Sequence, residues 1–384
     1  MGFNAAASRY MQTVRTKFPR KDNVSAMRVG DWVEVRSEAE ILQTLDEKGR
    51  LDGMPFMPEM FRFCGQRLQI YKRAHKTCDG ISRGSRRLAR TVHLNTRCSG
   101  EAHGGCQSAC LLFWREEWLR AADPTPPVPV CQSESQPRSN DLGLSSVTKE
   151  AVAAYAVVEE GGTRYRCQAT QIRDASARLP WWDVRQYRED LRSGNVGPWE
   201  FGCGVFRASW LTMGRSGFKI DRLARWLYEH CCFLWNGDSF PLRVGRIPRG
   251  KRTPLDSLNL QSGEMVRVRS LAAIDETLDT WGQNRGLYFD PEQAPYANRI
   301  FRVGDRVERM IGEETGRMTK LKTPAVVLES VFCQGRHSSC RMFCPKSSPL
   351  LWREVWLERL AGHSPCAGIN RHVAAEAESL QERK

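Results

Sequence analysis

Apolar and polar residues alternate at the start of two separated stretches of the chain. In GDWVEVRS (residues 30–37) and GEMVRVRS (263–270), the valines stand two positions apart, between charged residues. A period of two is typical of a half-buried β-strand. Each stretch continues as S-x-A-x-I-x-x-T-L-D, which predicts a short helix with Ser37 or Ser270 as its N-cap. Later apolar runs indicate further strands around residues 68–71, 91–94 and 325–328.

The two stretches are copies of one sequence. Residues 30–46 and 263–279 are identical at ten of seventeen positions without a gap. The match extends to FWREEWL (113–119) and LWREVWL (351–357). We interpret this self-similarity as an internal duplication that covers about residues 28–120 and 261–360. The expected unit is a small, mostly β module with the partly open barrel of an SH3-like domain.

Composition divides the rest of the chain. One stretch is rich in Pro and Ser and predicts an extended linker, whereas the region after it is dense in tryptophan and mixes strand and helix patterns. The expected fold class is α+β, with two duplicated modules flanking a mixed α/β, tryptophan-rich middle domain. The predicted parts are an N-terminal arm (1–27), module 1 (28–120), the linker (121–147), the middle domain (148–255), module 2 (256–360) and a polar C-terminal tail (361–384).

Each copy ends in three cysteines and a histidine with the shared pattern C-x3/4-H-x2-C-x3-C. Thiolates and imidazole are the ligands of tetrahedral structural zinc sites, and the small residues between them let the backbone turn tightly. An iron–sulfur cluster, and buried thiols beside an incidental histidine, remain alternatives. The predicted metal ligands are Cys98, His103, Cys106 and Cys110 in module 1, and Cys333, His337, Cys340 and Cys344 in module 2.

Module 1 has two further cysteines, Cys64 and Cys78, that have no counterpart in module 2. They are candidates for an additional metal site that would also use His75 or His93. The alternative is that both cysteines are core thiols, which is a common place for free cysteine.

Positive charge is concentrated in module 1. The chain has a net charge of +14, which favours an anionic partner, and residues 62–97 contain one acid, Asp79, among many Lys and Arg. The planar fork of arginine suits phosphate, whereas the alternative is a solvated basic loop. The predicted anion-binding residues are Arg62, Arg67, Lys72, Arg73, Lys76, Arg83, Arg86, Arg87 and Arg90.

Motifs narrow the function only in part. No apolar stretch approaches the roughly 18 residues of a membrane span, and the N-terminus lacks the apolar segment of a secretion signal. A cytoplasmic location with reduced thiols is therefore expected. The sequence has no phosphate loop, dinucleotide-binding glycine pattern, nucleophile elbow or H-E-x-x-H motif, and whether the protein is an enzyme stays open.

We therefore expect an intracellular metal-binding protein, with zinc as the ion. Through module 1 it would bind an anionic partner such as nucleic acid or a phosphorylated ligand. Two other functions stay open: a metalloenzyme or iron–sulfur redox accessory protein of a biosynthetic pathway, and a structural adaptor that binds protein partners.

Overall fold

The described part of the chain has an α+β fold built from many small antiparallel sheets. Almost all of the N-terminal arm and of the linker lie outside it, as do the C-terminal tail and Arg83 and Cys340 of the predicted sites. The structure, a computed structural model, describes residues 27–82, 84–123, 147–159, 161–213, 226, 243–337 and 341–360.

The described residues of module 1 form ten short strands and one α-helix. Its central sheet has the antiparallel order β10-β1-β4, and a second sheet has the order β5-β8-β9. The helix is α1 (Glu38–Thr44), and 3-10 turns cover Pro58–Phe63, Glu101–His103 and Glu116–Trp118. The strands are β1 (Trp32–Val35), β2 (Arg50–Leu51), β3 (Met54–Pro55), β4 (Arg67–Gln69), β5 (Lys72–Arg73), β6 (Lys76–Cys78), β7 (Ser85–Arg87), β8 (Thr91–His93), β9 (Trp114–Arg115) and β10 (Leu119–Ala121).

The middle region is joined to module 1 by strand pairing. Its strand β13 pairs with β7 and so extends the β6–β7 hairpin to a three-stranded sheet. Within the described residues, none of the helices combines the length and apolar character needed to cross a lipid bilayer. The elements of the region are α2 (Lys149–Ala156), β11 (Val157–Val158), β12 (Arg164–Tyr165), β13 (Ala177–Leu179), α3 (Arg185–Ser193) and α4 (Pro198–Met213).

Module 2 is built on one five-stranded antiparallel sheet with the order β19-β18-β17-β14-β20. Its two long strands, β17 (Ile300–Ile311) and β18 (Met318–Phe332), form a hairpin. Strand β17 contacts module 1, where the N–H of Ile311 donates to Cys106 Sγ at 3.4 Å. The helix is α5 (Leu271–Glu276), and 3-10 turns cover Pro291–Tyr296 and Glu354–Trp356. The strands are β14 (Met265–Val268), β15 (Gln283–Asn284), β16 (Leu287–Tyr288), β17 (Ile300–Ile311), β18 (Met318–Phe332), β19 (Pro349–Trp352) and β20 (Leu357–Arg359).

Strands at matched positions of the two modules pair in the same register. In β1 and β4, Val33 lies opposite Leu68, and in β14 and β17, Val266 lies opposite Phe301. These are the residues that the sequence alignment of the two copies places together. The third strand, β10 or β20, lies on the other side of the central strand in both sheets.

The two cores repeat the same aromatic packing. The rings of Phe56 and Trp118 pack edge to face with their centroids 5.1 Å apart, and those of Phe289 and Trp356 do so at 5.2 Å. In both pairs the ring planes are nearly perpendicular. These four rings are buried. Edge-to-face packing places the positive ring edge on a negative face and adds to the free energy of burial.

Each buried indole is also tied to the module's helix. Trp118 Nε1 donates to Thr44 Oγ1 at 3.0 Å, and Trp356 Nε1 donates to Thr277 Oγ1 at 2.9 Å. The helices start at the predicted serines: Ser270 Oγ accepts from the N–H of Ala273, and Ser37 belongs to a capping box. The predicted N-caps are confirmed.

Candidate metal centre

The first knuckle (residues 98–110) is a tightly turned loop. The N–H of Gly105 donates to the Gly100 carbonyl at 2.9 Å, and the N–H of Cys106 donates to the His103 carbonyl at 3.2 Å. Gly100 has a φ of 74°, and a Cβ at this position would overlap the carbonyl oxygen of Cys106. Glycine is required there because any side chain would force the loop open.

The second knuckle (residues 333–344, of which 338–340 lie outside the described residues) has matching turns. Gly335 has a φ of 65°, and a Cβ on it would lie 2.6 Å from the Cys344 nitrogen. The residue before the last cysteine is left-handed in both loops, with a φ of 44° at Ala109 and 58° at Phe343. Both loops therefore bend at the same two places.

The backbone acts on the first cysteine of each knuckle in the same way. The N–H of Gly100 lowers the pKa of the Cys98 thiol, and the N–H of Gly335 lowers that of the Cys333 thiol. Burial raises the pKa of both thiols well above the usual range, and these N–H groups oppose that effect. An N–H group that points at sulfur stabilises the thiolate, which is the form that binds metals.

Four cysteines surround one cavity of about 240 Å³ beside the first knuckle: Cys98, Cys106, Cys110 and Cys167. Burial is the main reason that the pKa of Cys110 is raised to about 12, and Cys167 and Cys106 raise it further. The pKa of Cys98 is raised by burial and also by Cys110 and Cys167. The raised pKa values of Cys98, Cys110 and Cys167 favour the protonated thiols, and among the described residues no three of the four sulfur atoms lie within 4.8 Å of one another.

A carboxylate and a histidine adjoin these thiols. Within the described residues, Glu59, Cys98 and His103 form the one group of three potential metal ligands with all donor atoms within 4.8 Å. Glu59 Oε1 lies 2.8 Å from His103 Nδ1 and 3.7 Å from Cys98 Sγ. Although burial raises the pKa of Glu59, the hydrogen bond and charge of His103 outweigh it and lower that pKa. Its Oε2 is buried without a hydrogen-bond partner.

Cys78 lies at the second knuckle, far in sequence from the cysteines it meets. Its N–H donates to Cys344 Sγ at 3.1 Å. The side-chain hydrogen bond between these two thiols lowers the pKa of Cys78 and raises that of Cys344. Burial is the main reason that the pKa of Cys333 is raised, and the charges of Glu292, Asp290 and Cys78 raise it further. Module 1 therefore contributes a thiol to the cluster of module 2.

A partly buried ion pair lies within electrostatic range of cysteines from both clusters. Lys346 Nζ lies 2.7 Å from Glu313 Oε1. Burial alone would lower the pKa of Lys346, but Cys78, Glu313 and Cys110 together raise it. Because Cys78 belongs to one cluster and Cys110 to the other, Lys346 is within electrostatic range of both.

The second predicted histidine, His337, is buried beside Glu292. The backbone N–H of His337 donates to Glu292 Oε1 at 2.6 Å, and its ring Nδ1 has no hydrogen-bond partner. Burial lowers the pKa of His337 to about 3 and raises that of Glu292 to about 7. Glu292 is the residue that matches Glu59 in the sequence repeat.

The other predicted ligands lie away from both knuckles. Cys64 packs against the core of module 1, where burial raises its pKa to about 11. His93 is buried with Nδ1 2.7 Å from the Leu112 carbonyl oxygen. His75 Nε2 lies 3.1 Å from a carboxylate oxygen of Asp190. The structure thus brings Cys78, but not Cys64, to a knuckle.

Most side chains of the predicted basic strip contact other parts of the chain. Arg62 donates to a backbone carbonyl at 3.2 Å and Lys72 to Ser347 at 3.3 Å. Arg67 and Arg90 keep the greatest exposure among the ion-paired members, 39% and 56% of their side chains. The ion pairs of the strip are Arg67 with Glu34, Arg73 with Glu116 and Glu189, Lys76 with Asp190, Arg86 with Asp79, Arg87 with Asp183 and Arg90 with Glu117.

Sequence reasoning missed Glu59 and Cys167. The signal for Glu59 was its identity with Glu292 in the repeat, and nothing in the sequence linked Cys167 to the first knuckle. Comparisons of the chain with protein-family models, with curated proteins and with solved structures found no match. The residues of the two clusters therefore carry the functional argument.

Proposed function

We propose that the protein binds a structural zinc ion at the first knuckle. The observation that supports this function most directly is the buried group of Glu59, Cys98 and His103, whose ligand atoms lie within 4.8 Å of one another beside a cavity that Cys106 and Cys110 also line. Soft thiolates in a tetrahedral set select zinc over hard cations. Further thiol donors would come from the same cavity, whose lining includes Cys106 and Cys110.

A structural role is favoured over a catalytic one. A zinc ion held by four protein ligands has no open coordination position for water or substrate. Its binding free energy then contributes to folding, because the unfolded chain has no preformed site. The second knuckle would hold a second ion, which fits its matching turns at Gly335 and Phe343.

The duplication and the SH3-like form of each module belong to the same proposal. Their support is the matched strand register and the repeated contact between phenylalanine and tryptophan. A reducing compartment such as the cytoplasm is also proposed, since all nine cysteines of the described residues are free thiols.

The proposed partner is an anionic macromolecule or phosphate-containing ligand. The net charge of +14 supports it, and Arg67 and Arg90 are the strip residues with the most exposed ion-paired side chains. Retention on heparin at low salt, lost steeply as salt rises, is the expected result. Absence of retention by the whole protein at low salt would refute this part.

Elemental analysis tests the metal. We expect about two zinc ions per chain, one for each closed tetrahedral set. Cys106→Ser should lose one ion, whereas Cys64→Ser, a core thiol outside both clusters, should keep both. Full zinc content in Cys106→Ser would refute the site, and iron with visible charge-transfer absorption would replace zinc by an iron–sulfur cluster.

A further inference from the structure

We propose that the outer side of helix α3, together with the turn before it, binds single-stranded nucleic acid. This surface, the α3 face, consists of Trp181, Trp182, Arg185, Arg188 and Arg192. Its tryptophans stack on bases and its arginines contact phosphates. The inference rests on the anionic partner of the proposed function, names that partner, and places it on the middle region rather than on the basic strip.

Two adjacent tryptophans are exposed at the turn between β13 and α3. Trp181 and Trp182 are 59% and 66% exposed, and their ring centroids lie 5.9 Å apart with the planes nearly perpendicular. Single exposed apolar side chains are common on proteins, whereas contiguous ones mark binding surfaces. These indoles lie outside the core and leave ring surface open to a ligand.

The turn that carries the tryptophans is held by hydrogen bonds. Tyr187 Oη donates to the Trp181 carbonyl at 2.7 Å, and Gln186 Nε2 donates to the Pro180 carbonyl at 2.9 Å. Strand β13, which leads into the turn, is paired with β7. A preorganised surface loses less conformational entropy when it binds. The two indoles are therefore presented on a fixed backbone.

Three arginines of α3 lie on the exposed side of the helix. Arg185, Arg188 and Arg192 recur at intervals of three and four residues, which places them in one row along a helix. All three are exposed, whereas Gln186 and Asp190 on the other side are buried. The arginine row therefore faces solvent along the length of α3.

The acidic residues of α3 and its turn are all bound by cations. The ion pairs are Asp190 with Lys76 (2.5 Å), Glu189 with Arg73 (3.0 Å), and Asp183 with both Arg87 (2.7 Å) and Arg185 (2.8 Å). In the part of the chain that the structure describes, Arg188 and Arg192 have no ion-pair partner. Cations of the basic strip thus offset the acids, and unbalanced positive charge is left on the α3 face.

Tryptophans beside arginines suit a single strand. Successive bases stack on aromatic rings with little regard to sequence, and the planar guanidinium group of arginine binds the phosphates between them. In a duplex both faces of each inner base are already covered by neighbouring bases, so an exposed indole has no face to stack on. The α3 face therefore favours single strands over duplexes.

The same face is poorly suited to a lipid surface. A helix that lies in a membrane interface keeps its apolar residues on one side and its charges on the other. In α3 the exposed Val184 and Leu191 share the solvent side with Arg188 and Arg192, while the opposite side is buried in the protein. Insertion of the apolar residues would draw the guanidinium groups toward hydrocarbon, which is costly.

The test titrates the full chain into a fluorescently labelled oligo(dT) strand and follows the anisotropy of the label. Trp181→Ala combined with Trp182→Ala should weaken binding by about 5- to 150-fold for each ring that stacks on a base. The same two positions changed to phenylalanine should keep most of the affinity, because a phenyl ring still stacks. The matched control is Trp281→Ala, which removes a 54% exposed tryptophan of module 2 and should bind as the wild type does.

Salt dependence tests the arginines separately. Arg188→Gln combined with Arg192→Gln should reduce the slope of log affinity against log salt by about 1.4, because each phosphate contact of a single strand contributes about 0.7. Arg302→Gln removes an arginine of module 2 with a 55% exposed side chain and should leave the slope unchanged. Circular dichroism checks that each variant is folded.

Wild-type affinity and salt slope in both α3 variants would overturn the α3 face. If Arg67→Gln combined with Arg90→Gln lost binding instead, the anionic partner would stand, with its site on the basic strip. Tighter binding of duplex DNA than of oligo(dT), or binding to phosphatidylserine vesicles without binding to oligo(dT), would overturn single-stranded nucleic acid as the partner. Failure of the wild-type protein to bind either heparin or oligo(dT) at low salt would refute the proposed partner itself.

Discussion

Replacing Lys76 by methionine should destabilise the protein by about 3–5 kcal/mol, the usual cost of leaving one buried charge without its partner. Lys76 and Asp190 expose 1% and 0% of their side chains, and Lys76 Nζ lies 2.5 Å from Asp190 Oδ2. The same ammonium group donates to the Met342 carbonyl at 2.8 Å. It thereby links module 1, the middle region and module 2, and methionine fills a similar volume without making any of these bonds.

The magnitude follows from the geometry. At 2.5 Å and an effective dielectric constant of about 20, the attraction between the two charges is about 7 kcal/mol. Removing two ions from water costs several kcal/mol each, so the pair as a whole contributes little net stability. Removing one partner leaves the full desolvation cost of the other, which is why the single substitution is expensive. Lys76→Met combined with Asp190→Leu should therefore recover most of the loss.

Urea unfolding of the whole protein, followed by circular dichroism and by tryptophan fluorescence, measures the effect. The matched control is Arg67→Met, which removes the solvent-exposed pair with Glu34 at 3.5 Å. Exposed pairs contribute about 0–1 kcal/mol. If Lys76→Met costs no more than this control, or if the double variant is no better than the single one, the assignment of a buried and mutually dependent pair is wrong.

Three further changes test other features. Burial lowers the pKa of His93 to about 3. Because this folded pKa is below the unfolded value, the free energy of unfolding should fall as pH drops below about 6.5, by at most about 1.4 kcal/mol per pH unit. His93→Gln should flatten this slope in urea titrations at several pH values. Thr44→Val and Thr277→Val each leave a buried indole N–H unpaired and should lower the free energy of unfolding by about 1–3 kcal/mol in the same assay. If the two losses differ by more than that range, the two threonines do not have equivalent roles. Gly100→Ala should lower zinc retention against a chelator, whereas Gly65→Ala, at a φ of 76° with open space around it, should lose only stability; equal retention would refute the steric reasoning.

Local features of the fold could be predicted from the sequence. The serine N-caps and the opening strands depend on residues within one short stretch, and duplication made each of them visible twice. The α+β class follows from these patterns. The spacing also predicts that Cys98 and His103 lie near one another, because the knuckle is a single loop that turns at glycines such as Gly100, and their ligand atoms lie within 4.8 Å.

Contacts between distant segments could not be predicted in the same way. The basic residues of module 1 read as an exposed strip because their acidic partners, such as Asp183 and Asp190, come about 100 residues later in the chain. Cys167 and Cys78 lie outside the knuckle pattern for the same reason. Their positions depend on how the middle region and the two modules pack, which periodicity and spacing do not encode.

The pairing of β7 with β13 has a consequence for synthesis of the chain. The β6–β7 hairpin leaves the ribosome long before β13 and the carboxylate of Asp190 exist. At roughly 5–20 residues per second, the wait for Asp190 is about 5–20 s. During that time the outer edge of β7 has open backbone donors and acceptors, which can pair with another chain. A fragment that ends after residue 123 would keep this edge permanently open, so we expect module 1 alone to aggregate and nascent chains to need protection until the middle region emerges.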